Sequence, residues 1–283
     1  MKGKYHLRGE LFAIATMHKK EQVIAPLFAS EFGAIAMVPE NINTDALGTF
    51  SGEIPRVGDM LTAAQKKCLM AMDLLNLDFG VASEGSFGPH PECGYIPAAT
   101  ECIVFIDRKS GLEIHETIMS IETNFLAQHI ATESELREFA THVGFPSHGL
   151  ILRNSDGASD GLFKGLQEED KLMGAFHSLQ KEYGSVFVET DMRAMYNPTR
   201  MKMIAKCAQK LIDKINSNCP ECATPGFGVG DVICGLPCKL CGLPTRSVLA
   251  HLYICNICGC RTEKMYPLDK LDEDPMFCDY CNP

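Results

Sequence analysis

The 283 residues predict an α/β domain on a mixed sheet, residues 1–216, followed by a C-terminal two-zinc ribbon module, residues 217–283. Three observations carry this. Strand-like apolar runs alternate with segments of helical period over residues 11–216. A hairpin pattern interrupts the alternation at residues 101–121. Ten of the fourteen cysteines lie between Cys219 and Cys281.

Each element has its own signal. Residues 11–15, Leu-Phe-Ala-Ile-Ala, read as a first strand, and residues 16–20 as the turn after it. Val23, Ile24, Leu27, Phe28 and Phe32 make one helical stripe that Gly33 suits as a C-terminal cap. Residues 34–38 read as a second strand, and a polar loop leads to a helix over 60–75. Residues 79–82 form a short buried strand that opens into a glycine-rich loop over 83–91. Strands over 101–107 and 112–121 flank a turn at 108–111. A helix over 134–143, a strand over 149–153, a helix over 168–183 and a strand over 185–189 follow. Asn197 caps a last helix whose first residue is Pro198 and whose end is near residue 216.

Composition narrows the classes. A hydrophobic share of 46% supports a core, and no apolar run reaches the roughly 18 residues of a membrane span. The N-terminal apolar run is short and reads as a strand, not a signal peptide. A net charge of -10 argues against general duplex nucleic-acid binding. Paired cysteines without a secretory signal point to metal in a reducing, cytoplasmic setting.

The cysteine pattern is the strongest local motif. Cys219/Cys222, Cys238/Cys241, Cys255/Cys258 and Cys278/Cys281 are four C-x-x-C knuckles. Each supplies two thiolates, so four make two tetrahedral zinc sites. The middle two read as one ribbon site and the outer two as the second, with sequential pairing as the alternative. Eight thiolates fill both tetrahedra, which favours structural zinc over catalytic zinc, which needs an open position, and over an iron–sulfur cluster.

Polar residues gather where strands end. Thr16, His18 and Lys20 follow the first strand; Ser51, Glu53 and Arg56 lie in the long loop; Ser83, Glu84 and Ser86 lie in the glycine-rich loop. Asp191, Arg193, Asn197 and Arg200 lead into the last helix, and His148 sits in FPSHGL. Acids hold a hard cation such as Mg²⁺ or Mn²⁺, while Lys, Arg and backbone N–H groups hold phosphate oxygens. Glu84, Glu53 and Asp191 are thus the candidate catalytic acids, and the others the candidate substrate contacts. His148 has a hydrogen-bonded structural alternative. No P-loop is present, which excludes an ATPase of that type.

Over nearly its full length the chain resembles an uncharacterised bacterial family of unknown function, on TDALGTFSGEIPR, ASEGSFGPHP, FPSHGLI, ETDMRAMYNPTRM, GLPCKLCG and a terminal CNP. Residues 11–121 are also similar to the inosine/xanthosine triphosphate pyrophosphatases. Thr16 and Lys20 match a Thr-x-x-x-Lys element. Glu53, Ala63, Ala64 and Lys66 or Lys67 match an acid before an Ala-rich helix, and Gly80 to Gly85 match a Gly-Val-x-x-Glu-Gly turn. This resemblance implies that fold, and Mg²⁺-dependent cleavage of a nucleoside triphosphate between its α- and β-phosphates. The C-terminal base-recognition motif of those enzymes is not visible, and the cysteine module is foreign to them.

The expected function is therefore Mg²⁺-dependent hydrolysis of a nucleotide or related phosphate ester. The alternative is a nucleotide-sensing adaptor whose zinc ribbon docks on a protein or RNA partner, protein being favoured because the ribbon has few basic residues. Neither reading involves a membrane, and both leave room for a homodimer.

Overall fold

In the computed structural model, which describes residues 5–44, 58–158 and 161–283, the apolar run Leu11–Ala15 is strand β1, buried at four of five positions. Helix α1 (Glu21–Phe32) buries Ile24, Phe28 and Phe32 at helical spacing. Gly33 ends it at φ 66°, a conformation glycine adopts without steric cost. Strand β2 (Ile35–Met37) lies parallel to β1. Helix α2 (Met60–Leu75) starts at Asp59, whose side chain accepts the Thr62 N–H at 2.7 Å. Strands β3 (Phe79–Pro89), β4 (Pro97–Asp107) and β5 (Leu112–Ser120) complete a five-stranded sheet in the order β2-β1-β3-β4-β5. β1 runs parallel to β2 and β3, whereas β3, β4 and β5 are antiparallel neighbours, so this sheet is mixed.

β3 corrects the sequence reading. The stretch expected to be a loop after Ala82 is the second half of the strand, paired with β4 from Phe79↔Asp107 to Pro89↔Pro97. Small residues mislead here because a strand also needs them where a neighbour comes close. A Cβ on Gly80 would lie 2.5 Å from Met72 Cγ of α2.

Alternation of side chains sorts the core between the sheet's two faces. Ala13, Ala15, Ala82, Val104 and Ile106 pack with Ala64, Cys68, Ala71 and Met72 of α2. Phe12, Phe79 and Phe105 take the other face. There Phe28 of α1 stacks on Phe12 at 4.9 Å and lies 6.1 Å from Phe105.

A second sheet replaces the single sheet that the sequence suggests. It contains β6 (Ala127–Ile130), β7 (Leu150–Arg153), β8 (Phe163–Leu166) and β9 (Val186–Thr190), all antiparallel, in the order β6-β9-β7-β8. β6 and β8 were not expected, because four residues such as AQHI or FKGL carry no periodic signal. Helices α3 (Glu133–Val143) and α4 (Glu169–Tyr183) cover this sheet through Leu136, Phe139, Phe176 and Leu179. Thr132 and Glu135 form a capping box that starts α3. Helix α5 (Pro198–Ile215) starts after Asn197, whose Oδ1 accepts the Arg200 N–H at 2.9 Å. Among the described residues no helix is long and apolar enough to cross a membrane.

The chain divides into two compact units, Leu7–Ile212 and one that contains Asp213–Pro283. In the latter, β10 (Gly228–Cys234), β11 (Val248–Ile254) and β12 (Arg261–Met265) form an antiparallel sheet in chain order. Its buried apolar side chains are Ile215, Leu236, Ala250 and five cysteines: Cys219, Cys238, Cys255, Cys260 and Cys278.

Candidate functional site

The cysteines converge in two groups. Cys219, Cys222, Cys255 and Cys258 form one, Cys238, Cys241, Cys278 and Cys281 the other, and within each all sulfurs lie within 4.8 Å of one another. The contacts between knuckles are 3.6 Å for Cys219–Cys258 and Cys222–Cys255, 3.7 Å for Cys241–Cys278 and 3.9 Å for Cys238–Cys281. A tetrahedral zinc ion with Zn–S bonds of about 2.3 Å has sulfur–sulfur edges of about 3.8 Å. Each group therefore suits one zinc ion, and the spacing is far too long for a disulfide. The Thr224 hydroxyl lies 3.2 Å from Cys222 Sγ and pulls that thiol down to about 6. The backbone N–H groups of Cys241 and Leu240 pull Cys238 down to about 7. Both shifts favour the thiolate, the form that binds metal, at one cysteine of each group, while the neighbouring sulfurs push Cys258 and Cys281 up to about 12.

The pairing is neither nested nor sequential: the first knuckle joins the third and the second joins the fourth. Strand direction causes this. Each antiparallel strand carries the chain to the opposite end of the sheet. Gly228 lies opposite Ile254, which puts Cys219/Cys222 beside Cys255/Cys258. Met265 lies opposite Ala250, at the end where the β10–β11 connection carries Cys238/Cys241.

In the larger unit a polar cluster forms where β1 stops. β1 ends at Ala15 opposite Ala82, while β3 runs on to Pro89. Beyond Ala82 a side chain stands in for the missing strand. Lys20 Nζ donates to Ser83 O at 2.7 Å and to Ser83 Oγ at 3.0 Å. Ser83 Oγ donates to Glu101 Oε1 at 2.8 Å, and Lys20 Nζ lies 3.6 Å from that same oxygen. Arg200 Nε donates to Glu101 Oε2 at 3.2 Å and Arg200 Nη1 to the Met192 carbonyl at 2.6 Å. Glu84, one residue on and facing the other side of β3, accepts from Lys67 Nζ at 2.6 Å. Thr16 shapes the loop that delivers Lys20: its Oγ1 accepts the N–H of His18 at 3.0 Å and of Lys20 at 3.2 Å.

Lys20, Lys67, Ser83, Glu84, Glu101 and Arg200 are all buried. Burial, with Arg200 and Lys67 adding to it, holds the Lys20 ammonium down to about 8, although Glu101 and Glu84 oppose the shift. Burial also drives His18 down to about 3, and Lys20, Arg200, Arg193 and Lys67 reinforce it, so His18 is neutral at neutral pH. Burial alone would raise Glu101, but Arg200 and Lys20 outweigh it and hold that carboxyl below the usual range. Among the described residues, three cations thus face two carboxylates, a surplus of buried positive charge.

Of the residues singled out in the sequence, Thr16, His18, Lys20, Ser83, Glu84 and Arg200 meet here. Ser86 is exposed on β3. Asp191, expected as a catalytic acid, is instead held by Arg193, whose Nη2 lies 2.6 Å from Oδ2, and by the Gly165 N–H at 3.1 Å. Arg193 also lies over the Tyr196 ring, 4.5 Å from its centre. Asn197 caps α5 and donates to Asn124 Oδ1 at 2.9 Å. His148 is tied to Thr199 Oγ1 at 2.9 Å and Ser147 Oγ at 3.0 Å. Ser51, Glu53 and Arg56 lie outside the described residues. Glu101 was missed; its signal is a lone carboxylate opening the apolar strand ECIVFID, a charge that burial would force to find partners.

Among the described residues, the two cysteine groups are the side-chain sets that gather as a metal site. Glu84, Glu101 and Asp191 are each paired with a cation. The described donors therefore do not fit a resident Mg²⁺ or Mn²⁺; their charge suits an anion.

Gly85 keeps the cluster closed. A Cβ there would lie 2.6 Å from both Arg200 Nη2 and Glu101 Oε2. Gly85→Ala is expected to push this pair apart and destabilise the protein by about 1–3 kcal/mol. A melting temperature equal to that of the wild type would show that the pair gives way without cost.

A family model described as a domain of unknown function (DUF6671) matches residues 67–283. No curated protein matches the chain. The match starts inside α2, so β1, α1 and Lys20 lie before it, although β1 is hydrogen-bonded between β2 and β3.

Proposed function

The chain belongs to the DUF6671 family, of unknown function, and we propose from its own residues that the Leu7–Ile212 unit binds and hydrolyses a phosphate ester. One observation carries this reading: among the described residues, the buried cations Lys20, Lys67 and Arg200 outnumber the carboxylates Glu84 and Glu101 that they meet. An unbalanced charge is costly to bury, and an anionic ligand offsets it. The cluster also lies past the carboxyl end of β1, the end of an open α/β sheet where ligands bind.

In this reading Lys20 and Lys67 turn to the phosphate oxygens and neutralise the charge that develops on them. Glu84 takes a proton from the attacking water as Lys67 turns to the phosphate. The new bond forms between that water oxygen and phosphorus, the bond to the leaving oxygen breaks, and the leaving oxygen is protonated from solvent. Arg200 keeps Glu101 in place, and Glu101 keeps Ser83 and Lys20 in place. Mg²⁺ or Mn²⁺ would enter as companions of the phosphates themselves.

The test is a mass-spectrometric turnover screen of zinc-loaded protein against nucleoside triphosphates and simple phosphate esters, with and without Mg²⁺ or Mn²⁺. The reading expects a phosphate-releasing product that falls at least about a hundred-fold in Glu84→Gln. Turnover retained in that variant removes Glu84 from the chemistry, and silence across the panel removes hydrolysis.

A second reading concerns the zinc unit. Leu240, Met276, Phe277 and Tyr280 are exposed beside the second cysteine group. Residues 217–283 hold five basic against eight acidic residues, and each zinc tetrathiolate adds about two negative charges. That balance favours a basic, apolar protein surface as partner and disfavours RNA.

A further inference from the structure

The cavity between α1 and α5 takes no part in the cluster, yet it is built by the same two loops. It measures about 460 Å³, within the range of small-molecule sites. Val23, Met195, Pro198 and Met201 supply apolar walls, and Lys19 and Lys202 supply charge. Among the described residues no carboxylate lines it. Lys19 adjoins Lys20, Met195 lies two residues past Arg193, and Pro198 lies two residues before Arg200. Lys19 holds a left-handed backbone at φ 60°, which L side chains rarely adopt. That conformation parts Lys19 and Lys20, so that one lines the cavity and the other reaches Ser83. Methionine walls adapt to flat rings and make favourable sulfur–aromatic contacts.

We infer that this cavity receives the heteroaromatic ring of the phosphorylated ligand, which makes the ligand a nucleotide. The inference rests on the phosphate-ester reading and adds what that reading lacks, a place for the part of the ligand that is not phosphate. Lys19 and Lys202 meet the anionic end of the nucleotide where it leaves the cavity.

Titration calorimetry on full-length, zinc-loaded protein, with no added divalent cation, tests this with inorganic tripolyphosphate, ATP and ITP as probes. At least one nucleotide is expected to bind about ten- to a hundred-fold more tightly than tripolyphosphate, the gain that burying one base brings. Met201→Trp, which fills the cavity without changing charge, is expected to collapse that ratio to about one. If Met201→Trp does not fold, Ala205→Leu, which narrows the same cavity from a half-buried position without changing charge, replaces it, with the same loss expected. Equal affinities in the wild type, or a ratio unchanged by the variant, overturn the inference while tripolyphosphate binding leaves the phosphate reading standing. Tripolyphosphate binding that Lys20→Met does not weaken overturns the phosphate reading. Absence of binding by all three probes overturns both.

Discussion

Removing zinc from the intact protein is expected to unfold the Asp213–Pro283 unit. Five of its eight buried apolar residues are cysteines, while Leu240, Ile257, Leu268, Leu271, Met276 and Phe277 are exposed. Little hydrocarbon is left to hold three strands once the thiolates lose their ion. Structural zinc sites contribute on the order of 10 kcal/mol to folding, more than such a core supplies. Elemental analysis should find two zinc ions per chain, and one in Cys255→Ser. After chelation, trypsin should cut within residues 217–283 at rates typical of unfolded chain. Unchanged protease resistance in metal-free protein would show that the fold precedes the metal.

A chain cut to the family-matched residues 67–283 is expected not to fold in its α/β part. The cut removes β1, which lies between β2 and β3, and with it the partner of β3. Phe12, Ile14, Ile24 and Phe28 are wholly buried, and Phe28 lies 6.1 Å from Phe105 inside the matched region. At about 1.5–3 kcal/mol per large buried side chain, their loss alone amounts to roughly 6–12 kcal/mol, comparable to the whole stability of a domain. The truncated chain should give broad, poorly dispersed proton NMR spectra, apart from the zinc unit. A cooperative melt of its α/β part near that of the full chain would contradict this packing account.

Much of the fold was legible because long elements announce themselves. The stripe of Ile24, Phe28 and Phe32, the helical period of α2 and the Asn197-Pro198 start of α5 are local signals that tertiary structure leaves in place. Short strands are different: β6 and β8 exist through their pairing, not their own sequence. Residues 83–89 read as a loop because Gly85 serves Arg200 and Glu101, contacts from elsewhere in the chain. The same holds for Glu101, which becomes central through Lys20 and Arg200. The cysteine knuckles named the donors but not their partners, since only the three-strand path through β10, β11 and β12 interleaves them.

The central claim is that the buried cations hold a phosphate group, and the pH dependence of binding addresses it most directly. The free Lys20 ammonium titrates at about 8, and a bound anion raises that value. The complex therefore holds a proton that the free protein loses, and affinity must fall as pH rises through about 8. Tripolyphosphate titrated into the wild type at pH 7 and pH 9.5 should bind about ten-fold or more weakly at the higher pH, the worth of one charge-assisted hydrogen bond. Lys20→Met should bind weakly at both, with the ligand's own ionisation common to the two proteins. Equal affinity of wild type and variant at pH 7, or the same pH dependence in both, would contradict the account.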